Sequence, residues 1–248
     1  MLNPEGWYVN EYAIIHNYDD GSHTEMRWDG ERFVPLRLPP SKFIKAKNSE
    51  QRCALDMLSN PDITACAILG TYGSGKSMLT LTMARYAVLE KGRQSKIIGV
   101  REPVGHGKQV GYLAGSFSDK TDMFFQPLIQ QLDGGIYEFE SLRDRGIIDT
   151  NILYYMKGIT LSETIVLVDE AEDLSEEQLR LVGTRVGENA RIFFNGDFKQ
   201  AVYDKTEKNP LVRMCNELRG NPLFGCIYLE EDVRSETSKL FANLFHKE

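Results

Sequence analysis

Histidine and cysteine are scarce in this 248-residue chain, four of each, and neither is grouped. Cys53, Cys66, Cys215 and Cys226 form no CxxC pair, and His16, His23, His106 and His246 are scattered, so a zinc site has no framework. Cys66 falls in an apolar run and is expected to be an inert buried thiol. This usage suits a reducing, cytoplasmic compartment. No apolar stretch approaches the roughly 18 residues needed to span a bilayer. The start, Met1-Leu2-Asn3-Pro4-Glu5-Gly6, lacks a basic-then-apolar signal pattern, so no membrane association is expected. Internal repeats and low-complexity segments are also missing. Positive charge is in deficit, with 29 Lys and Arg against 36 Asp and Glu and a net charge of −7. That argues against a large non-specific nucleic-acid surface and leaves room only for a local basic groove. What is present, 42% hydrophobic and 26% charged, is ordinary globular composition. The length allows one sizeable domain with a small appendage.

The most informative stretch is Gly70-Thr71-Tyr72-Gly73-Ser74-Gly75-Lys76-Ser77, which reads GxxxxGKS. Ile63 to Leu69 before it is a short apolar run suited to a buried strand. Met78 to Lys91 after it has apolar residues at helical spacing, with Gly92 as the stop. Strand, glycine loop and helix together make a phosphate-binding P-loop. The glycines let main-chain N–H groups curl around phosphate oxygens, and the helix N-terminus adds its positive end. Lys76 is assigned to the β- and γ-phosphates and the Ser77 hydroxyl to Mg²⁺.

Residues 7 to 38 read differently from the rest. Trp7 to His16 and His23 to Trp28 look like strands around a turn at Asn17–Ser22. Asp29-Gly30 then leads into Arg32 to Leu36. A small antiparallel meander is expected, ending at Pro39-Pro40. From Ser41 the pattern alternates. Helices are expected over 48–58, 122–132, 174–182 and 235–245, and strands over 96–100, 152–156, 164–168, 191–195 and 226–229. This predicts a small β subdomain at 1–40 and an α/β domain at 41–248 with a mostly parallel sheet covered by helices on both faces.

Two of those strands end in polar groups. Thr164 to Val168 leads into Asp169-Glu170-Ala171-Glu172-Asp173, a Walker B segment of the DExx kind. A parallel strand delivers its C-terminal residues to the ligand crevice. Asp169 is therefore assigned to the Mg²⁺ shell and Glu170 to the attacking water. The competing reading is a helix start with acidic caps, which Asp173 and Ser175 also fit. The strand 191–195 runs into Asn195-Gly196-Asp197-Phe198-Lys199-Gln200. In a P-loop NTPase this place carries a sensor of the γ-phosphate, with Gln200 the first candidate and Asn195 the second.

From Lys47 onward the chain resembles the PhoH-like ATPases, RecA-like P-loop NTPases that share their core with superfamily 1 helicases. The resemblance rests on Asn48-Ser49-Glu50-Gln51, the P-loop, Arg101 with Gly107 to Gly115, and Tyr155-Met156-Lys157-Gly158. It continues through the Asp169 segment, Thr184-Arg185-Val186-Gly187-Glu188, Gly196-Asp197 with Gln200, and Arg234-Ser235-Glu236. It implies a stand-alone member without the PIN domain fused to some relatives. Gln51 then takes a position where an amide reads adenine, implying ATP. Arg234 takes that of a finger that stabilises transition-state charge, with Arg185 the second candidate. Such arginines often act across subunits, so the resemblance implies a ring, with a hexamer the expected state, acting on RNA or single-stranded nucleic acid. The glycine-rich stretch 101–120, with Arg101, Lys108 and Lys120, reads equally as a nucleic-acid loop or a plain surface loop. Tyr112 reads equally as a base platform or a pin to the core. The chain departs from the family pattern at Glu102, Glu172, Asp173 and Asn195, changes that bear on RNA engagement more than on hydrolysis.

The expected nucleotide set is Gln51, Gly70, Thr71, Tyr72, Gly73, Ser74, Gly75, Lys76, Ser77 and Met78, with Ser77 and Asp169 on Mg²⁺. Glu170, Lys76, Gln200 and Arg234 are the expected catalytic set. The expected function is Mg²⁺-dependent ATP hydrolysis in a helicase-like enzyme. One competing reading is a P-loop kinase, which would form ADP without free phosphate. The other is an ATP-gated oligomeric scaffold, whose assembly would persist without hydrolysis.

Overall fold

The computed structural model describes residues 6–102, 125–202, 204–233 and 237. Two sheets form. The first is the meander, β1 (Tyr12–His16), β2 (His23–Trp28) and β3 (Phe33–Pro35), all antiparallel and in sequence order. The second is a six-stranded sheet with every pairing parallel. Its strands are β4 (Ala65–Gly70), β5 (Lys96–Val100), β6 (Ile148–Asn151), β7 (Thr164–Val168), β8 (Arg191–Gly196) and β9 (Phe224–Leu229), in the order β6-β5-β7-β8-β4-β9. All residues of β7 and β8 are buried, as expected of central strands covered on both faces.

Alternate strand residues point to opposite layers. Cys66, Ile68, Ile165 and Leu167 face one core with α1 (Ser49–Ser59), α2 (Lys76–Arg85), the helical residues 125–129 (α3) and α4 (Gly135–Asp144). Ala67, Leu69, Val166 and Val168 face the other, with α5 (Glu176–Gly183) and α6 (Pro210–Leu218). The strand periodicity of two therefore builds both layers.

Several elements depart from the sequence reading. The strand expected at 152–156 lies earlier, at Ile148–Asn151, and Leu153–Met156 is a 3₁₀ turn. Leu153 and Met156 are both buried at a spacing of three, which suits one turn of helix. The P-loop helix begins at Lys76 and ends as a π-helical turn, Tyr86–Glu90. Helices α4 and α6 were not anticipated, although Asn209 caps α6 and Pro210 opens it, a legible start signal. The expected helix at 122–132 is described from 125 onward. The expected tail helix at 235–245 lies outside the described residues, except 237.

The meander docks on α1 through a buried carboxylate. Asp56, 1% exposed, accepts from the Tyr12 hydroxyl at 2.9 Å, Arg27 Nε at 3.0 Å and the Arg37 N–H at 2.6 Å. Arg52 of α1 meets the buried Glu25 of β2 at 3.0 Å. Burial and the Asp56 charge hold the Tyr12 hydroxyl well above its ordinary range. Replacing Asp56 by alanine takes the acceptor from the Tyr12 hydroxyl and the counter-charge from Arg27, which keeps only its bond to Asn10 Oδ1 at 3.2 Å among those described. The expected loss is about 3 kcal/mol, read as a lower urea midpoint. An unchanged midpoint would mean that the meander contributes little to the fold.

Candidate nucleotide-binding site

The C-terminal ends of β4, β8 and β7 lie side by side, because β8 pairs with both of the others. The loop after β4 has little freedom. A Cβ on Gly70 would lie 2.5 Å from the Leu229 carbonyl of β9, and Gly75, at φ +94°, opens α2 from the left-handed region. Ser74, 1% exposed, braces the loop from within by donating to the Thr71 carbonyl at 2.9 Å. Lys76 folds back over the loop, and its Nζ donates to the carbonyls of Gly70 at 2.8 Å and Thr71 at 3.0 Å. Burial lowers the Lys76 pKa, and the carboxylates of Asp197, Glu172, Asp169 and Glu170 oppose that shift.

Ser77 Oγ donates to Asp169 Oδ1 at 3.1 Å, so residues 92 apart in sequence meet at the first turn of α2. A hydroxyl and a carboxylate oxygen side by side, next to a phosphate cradle, are a donor set that fits Mg²⁺, which favours oxygen ligands and keeps several waters. Among the described residues no group of three or more His, Cys, Asp or Glu could hold a metal by itself.

Glu170 sits at φ +51°, ψ +45°, a left-handed conformation that costs a non-glycine residue about 1 kcal/mol or more. The bend turns its carboxylate toward Arg101 at the end of β5. The Arg101 guanidinium pairs closely with Glu170 and lies 3.9 Å from Asp169 Oδ2. Next in the chain, Ala171–Asp173 forms a 3₁₀ turn before Ser175 caps α5 in a full capping box with Gln178. The acidic segment is thus both strand end and helix approach, with the caps falling on Ser175 and Gln178 and leaving Asp169 and Glu170 to the cleft.

The cleft has a volume of about 360 Å³. It is lined by Tyr72, Gly73, Gly75, Lys76, Ser77 and Met78 of the loop and helix, by Pro127 and Gln131, and by Asp169, Glu170 and Glu172 after β7. Asn195, Gly196, Asp197 and Gln200 close it from β8. Gln200 is exposed, and its amide is held by Asp197. Asn195 is 1% exposed and donates to Thr80 Oγ1 at 2.9 Å, so it is fastened to α2.

The remaining candidates are placed differently. Gln51, 1% exposed, is not a cleft-lining residue. Its Oε1 accepts from the Lys47 N–H at 2.9 Å and its Nε2 donates to the Ser74 carbonyl at 3.0 Å, which clamps the P-loop from behind. Arg185 follows α5 and precedes β8, at the sheet end opposite the P-loop. Arg234 lies outside the described residues, as do Lys108, Tyr112 and Lys120; its neighbour Val233 donates to the Gly73 carbonyl at 3.3 Å. Sequence reasoning gave no role in the cleft to Glu172, Asp197, Pro127 or Gln131, and Arg101 entered as a motif member and as part of the 101–120 loop, not as a partner of Glu170. Cys66 is fully buried, and burial pushes its thiol up to about 11.

An all-parallel sheet with a glycine cradle at one strand end and an acidic strand end two places away is the RecA-like class of P-loop NTPase folds. Within that class the chain belongs to the PhoH family, whose model, described as PhoH-like protein, matches residues 43–246. Protein PhoH2 of Thermobispora bispora is 33% identical over 81% of this chain and 47% of its own length. A PhoH-like protein of Synechocystis is 32% identical over 80% of this chain and 60% of its own. The chain spans about half the length of the PhoH2 relatives it matches. Among solved structures, the large terminase of a thermophilic bacteriophage in complex with ADP aligns with a TM-score of 0.46 at 13% identity. That alignment covers 81% of this chain and 50% of the terminase. Among the described residues no helix is long and apolar enough to cross a membrane.

Proposed function

We propose that the chain binds ATP with Mg²⁺ and hydrolyses it, and that it does so as a ring, with a hexamer the expected state, acting on RNA or single-stranded nucleic acid in the cytoplasm. The observation that carries the hydrolytic reading is the contact of Ser77 with Asp169 beside Lys76, which unites the two motifs of a phosphate site. In this reading Lys76 exchanges the carbonyls of Gly70 and Thr71 for the β- and γ-phosphates, while loop N–H groups hold the leaving oxygen. The Glu170 carboxylate orients a water for in-line attack on the γ-phosphate and receives its proton. Mg²⁺, when bound by Ser77 and Asp169, supplies charge neutralisation. Gln200 senses the γ-phosphate, and Arg234 completes the charge shell. Gln51, buried behind the P-loop, holds the loop at Ser74 in place of the expected contact with adenine.

The test is phosphate release from ATP with and without single-stranded RNA and DNA. Lys76→Ala should lower release about a hundredfold or more and weaken nucleotide binding. Unchanged turnover in that variant would sink the site assignment. Stimulation by one polymer supports the nucleic-acid half of the proposal. Indifference to both overturns that half and favours a nucleotide-gated scaffold.

A further inference from the structure

One guanidinium touches both acids at the end of β7. Arg101 follows β5, which pairs with β6 on one side and β7 on the other. Its N–H donates to the Asn151 carbonyl at 3.4 Å, and the carbonyl of Val100 just before it accepts from the Asp169 N–H at 3.0 Å. The main chain at Arg101 is therefore tied to both neighbouring strand ends. From this fixed base the side chain reaches across the end of β7. Nη2 pairs closely with Glu170 Oε2, and Nη1 lies 3.9 Å from Asp169 Oδ2.

The two carboxylates use these contacts differently. Asp169 turns Oδ1 to the Ser77 hydroxyl and Oδ2 to Arg101, so it is held from two sides. Glu170 has far less around it. Its side chain is 46% exposed, against 16% for Arg101, and it leaves a left-handed backbone position directly beside another carboxylate. Without a counter-charge the two acids repel, and a long, half-exposed side chain spreads over several rotamers. The planar, permanently charged fork of an arginine removes both problems, because it carries its donors in a fixed geometry.

Asp169 and Glu170 line the cleft, and Arg101 is not among the lining residues. Arg101 is thus placed to act on a bound nucleotide through the acids. An ion pair this open to solvent contributes little to the stability of the fold, so its effect falls on the direction of the carboxylate.

We infer that Arg101 is a positioning residue for hydrolysis: its fork sets the direction of the Glu170 carboxylate, and the rate of the chemical step depends on it while nucleotide affinity does not. This rests on the reading of Glu170 as the group that directs the attacking water.

The experiment compares single-turnover ATP hydrolysis, binding of an imido-bridged ATP analogue with Mg²⁺, and thermal unfolding, all in the full chain. Arg101→Met keeps the apolar stem and removes the fork. Hydrolysis should fall about 10- to 100-fold, while analogue affinity stays within about threefold and the melting temperature within about 3 °C. Arg101→Lys should recover part of the rate, since an ammonium supplies the charge without the planar fork. Arg101→Gln, polar and uncharged, repeats the test should Arg101→Met not fold. In a Glu170→Gln background Arg101→Met should slow hydrolysis by less than about threefold more, because the carboxylate it works through is already gone. An undiminished rate in folded Arg101→Met overturns the inference, and a raised rate would mean that the pair restrains Glu170. A further loss in the Glu170→Gln background as large as that in the parent chain also overturns it. So does a loss of analogue affinity that matches the loss of rate. Turnover at the parent level in Glu170→Gln alone is a failure of the underlying reading of Glu170, and it removes the role of Arg101 with it.

Discussion

Glu170→Gln should abolish hydrolysis, with turnover falling about a thousandfold, while ATP binding stays within about twofold. The amide keeps the size of the side chain and cannot take the proton of the attacking water. In the proposed reading binding should survive, because phosphate contacts are assigned to the P-loop and metal contacts to Ser77 and Asp169, which meet without Glu170. A companion variant separates chemistry from folding. Glu170 holds φ +51°, a conformation that glycine adopts without strain. Glu170→Gly should therefore be as inactive as the glutamine variant yet raise the melting temperature by about 2–6 °C, from about 1–2 kcal/mol of relieved backbone strain. The gain is reduced to the extent that the ion pair with Arg101 stabilises the fold. Turnover near the parent level in Glu170→Gln would remove Glu170 from the mechanism. Loss of binding with the fold intact would reassign it to nucleotide retention.

The largest stability effect is expected at Arg191, the first residue of β8. It is 2% exposed, and its oxygen partners are all main-chain carbonyls. Nε and Nη2 donate to Ile63 at 3.1 and 2.8 Å, Nη1 donates to Leu58 at 2.8 Å, and Nη2 also donates to Asn60 at 2.9 Å. The guanidinium also lies 4.8 Å from the centre of the Phe193 ring. It thereby closes the last turn of α1, whose terminal carbonyls lack helical partners and form the negative end of the helix dipole. Burial lowers its pKa, but with a dense fork of acceptors the charge is retained. Arg191→Met should cost about 3–5 kcal/mol, because it leaves several buried carbonyls unpaired. For a chain of this size that is a fall of roughly 10 °C in melting temperature. Arg191→Lys should recover only part of the loss, since one ammonium cannot reach the same set of oxygens. The measurement is thermal unfolding followed by circular dichroism, and a fall below about 2 °C in Arg191→Met would show that the carbonyls find other partners. Because α1 also carries Gln51, which holds the P-loop at Ser74, the same variant should weaken nucleotide binding.

Much of the site was legible because its motifs are local. Gly70 to Ser77 specify a loop through conformations only glycine tolerates, and a run of buried β-branched residues before Asp169 specifies a central parallel strand. Such signals need no knowledge of the rest of the chain. The misread strand at 152–156 marks where this stops. β6 is an edge strand with a polar sequence, Ile148-Asp149-Thr150-Asn151, and its alternation was too short to stand out beside the apolar Leu153 to Met156. Gln51 marks another limit. The family resemblance pointed it to a base, but its depth and its two main-chain partners follow from how α1 packs behind the loop.

The sequence by itself determined the α/β fold class, the order of most strands and helices, and where the glycine loop and the acidic strand end fall, because these depend on dihedral preferences and on periodicities within a few residues. Only the tertiary structure decided that Ser77 meets Asp169 and that Arg101 pairs with Glu170. The same holds for Arg191 closing a helix over 130 residues away and for Glu172 keeping an oxygen with no partner. Those outcomes depend on which strand ends the parallel sheet sets side by side and on how much water the packing removes. Burial and charge proximity are properties of the assembled sheet, and no stretch of sequence carries them alone.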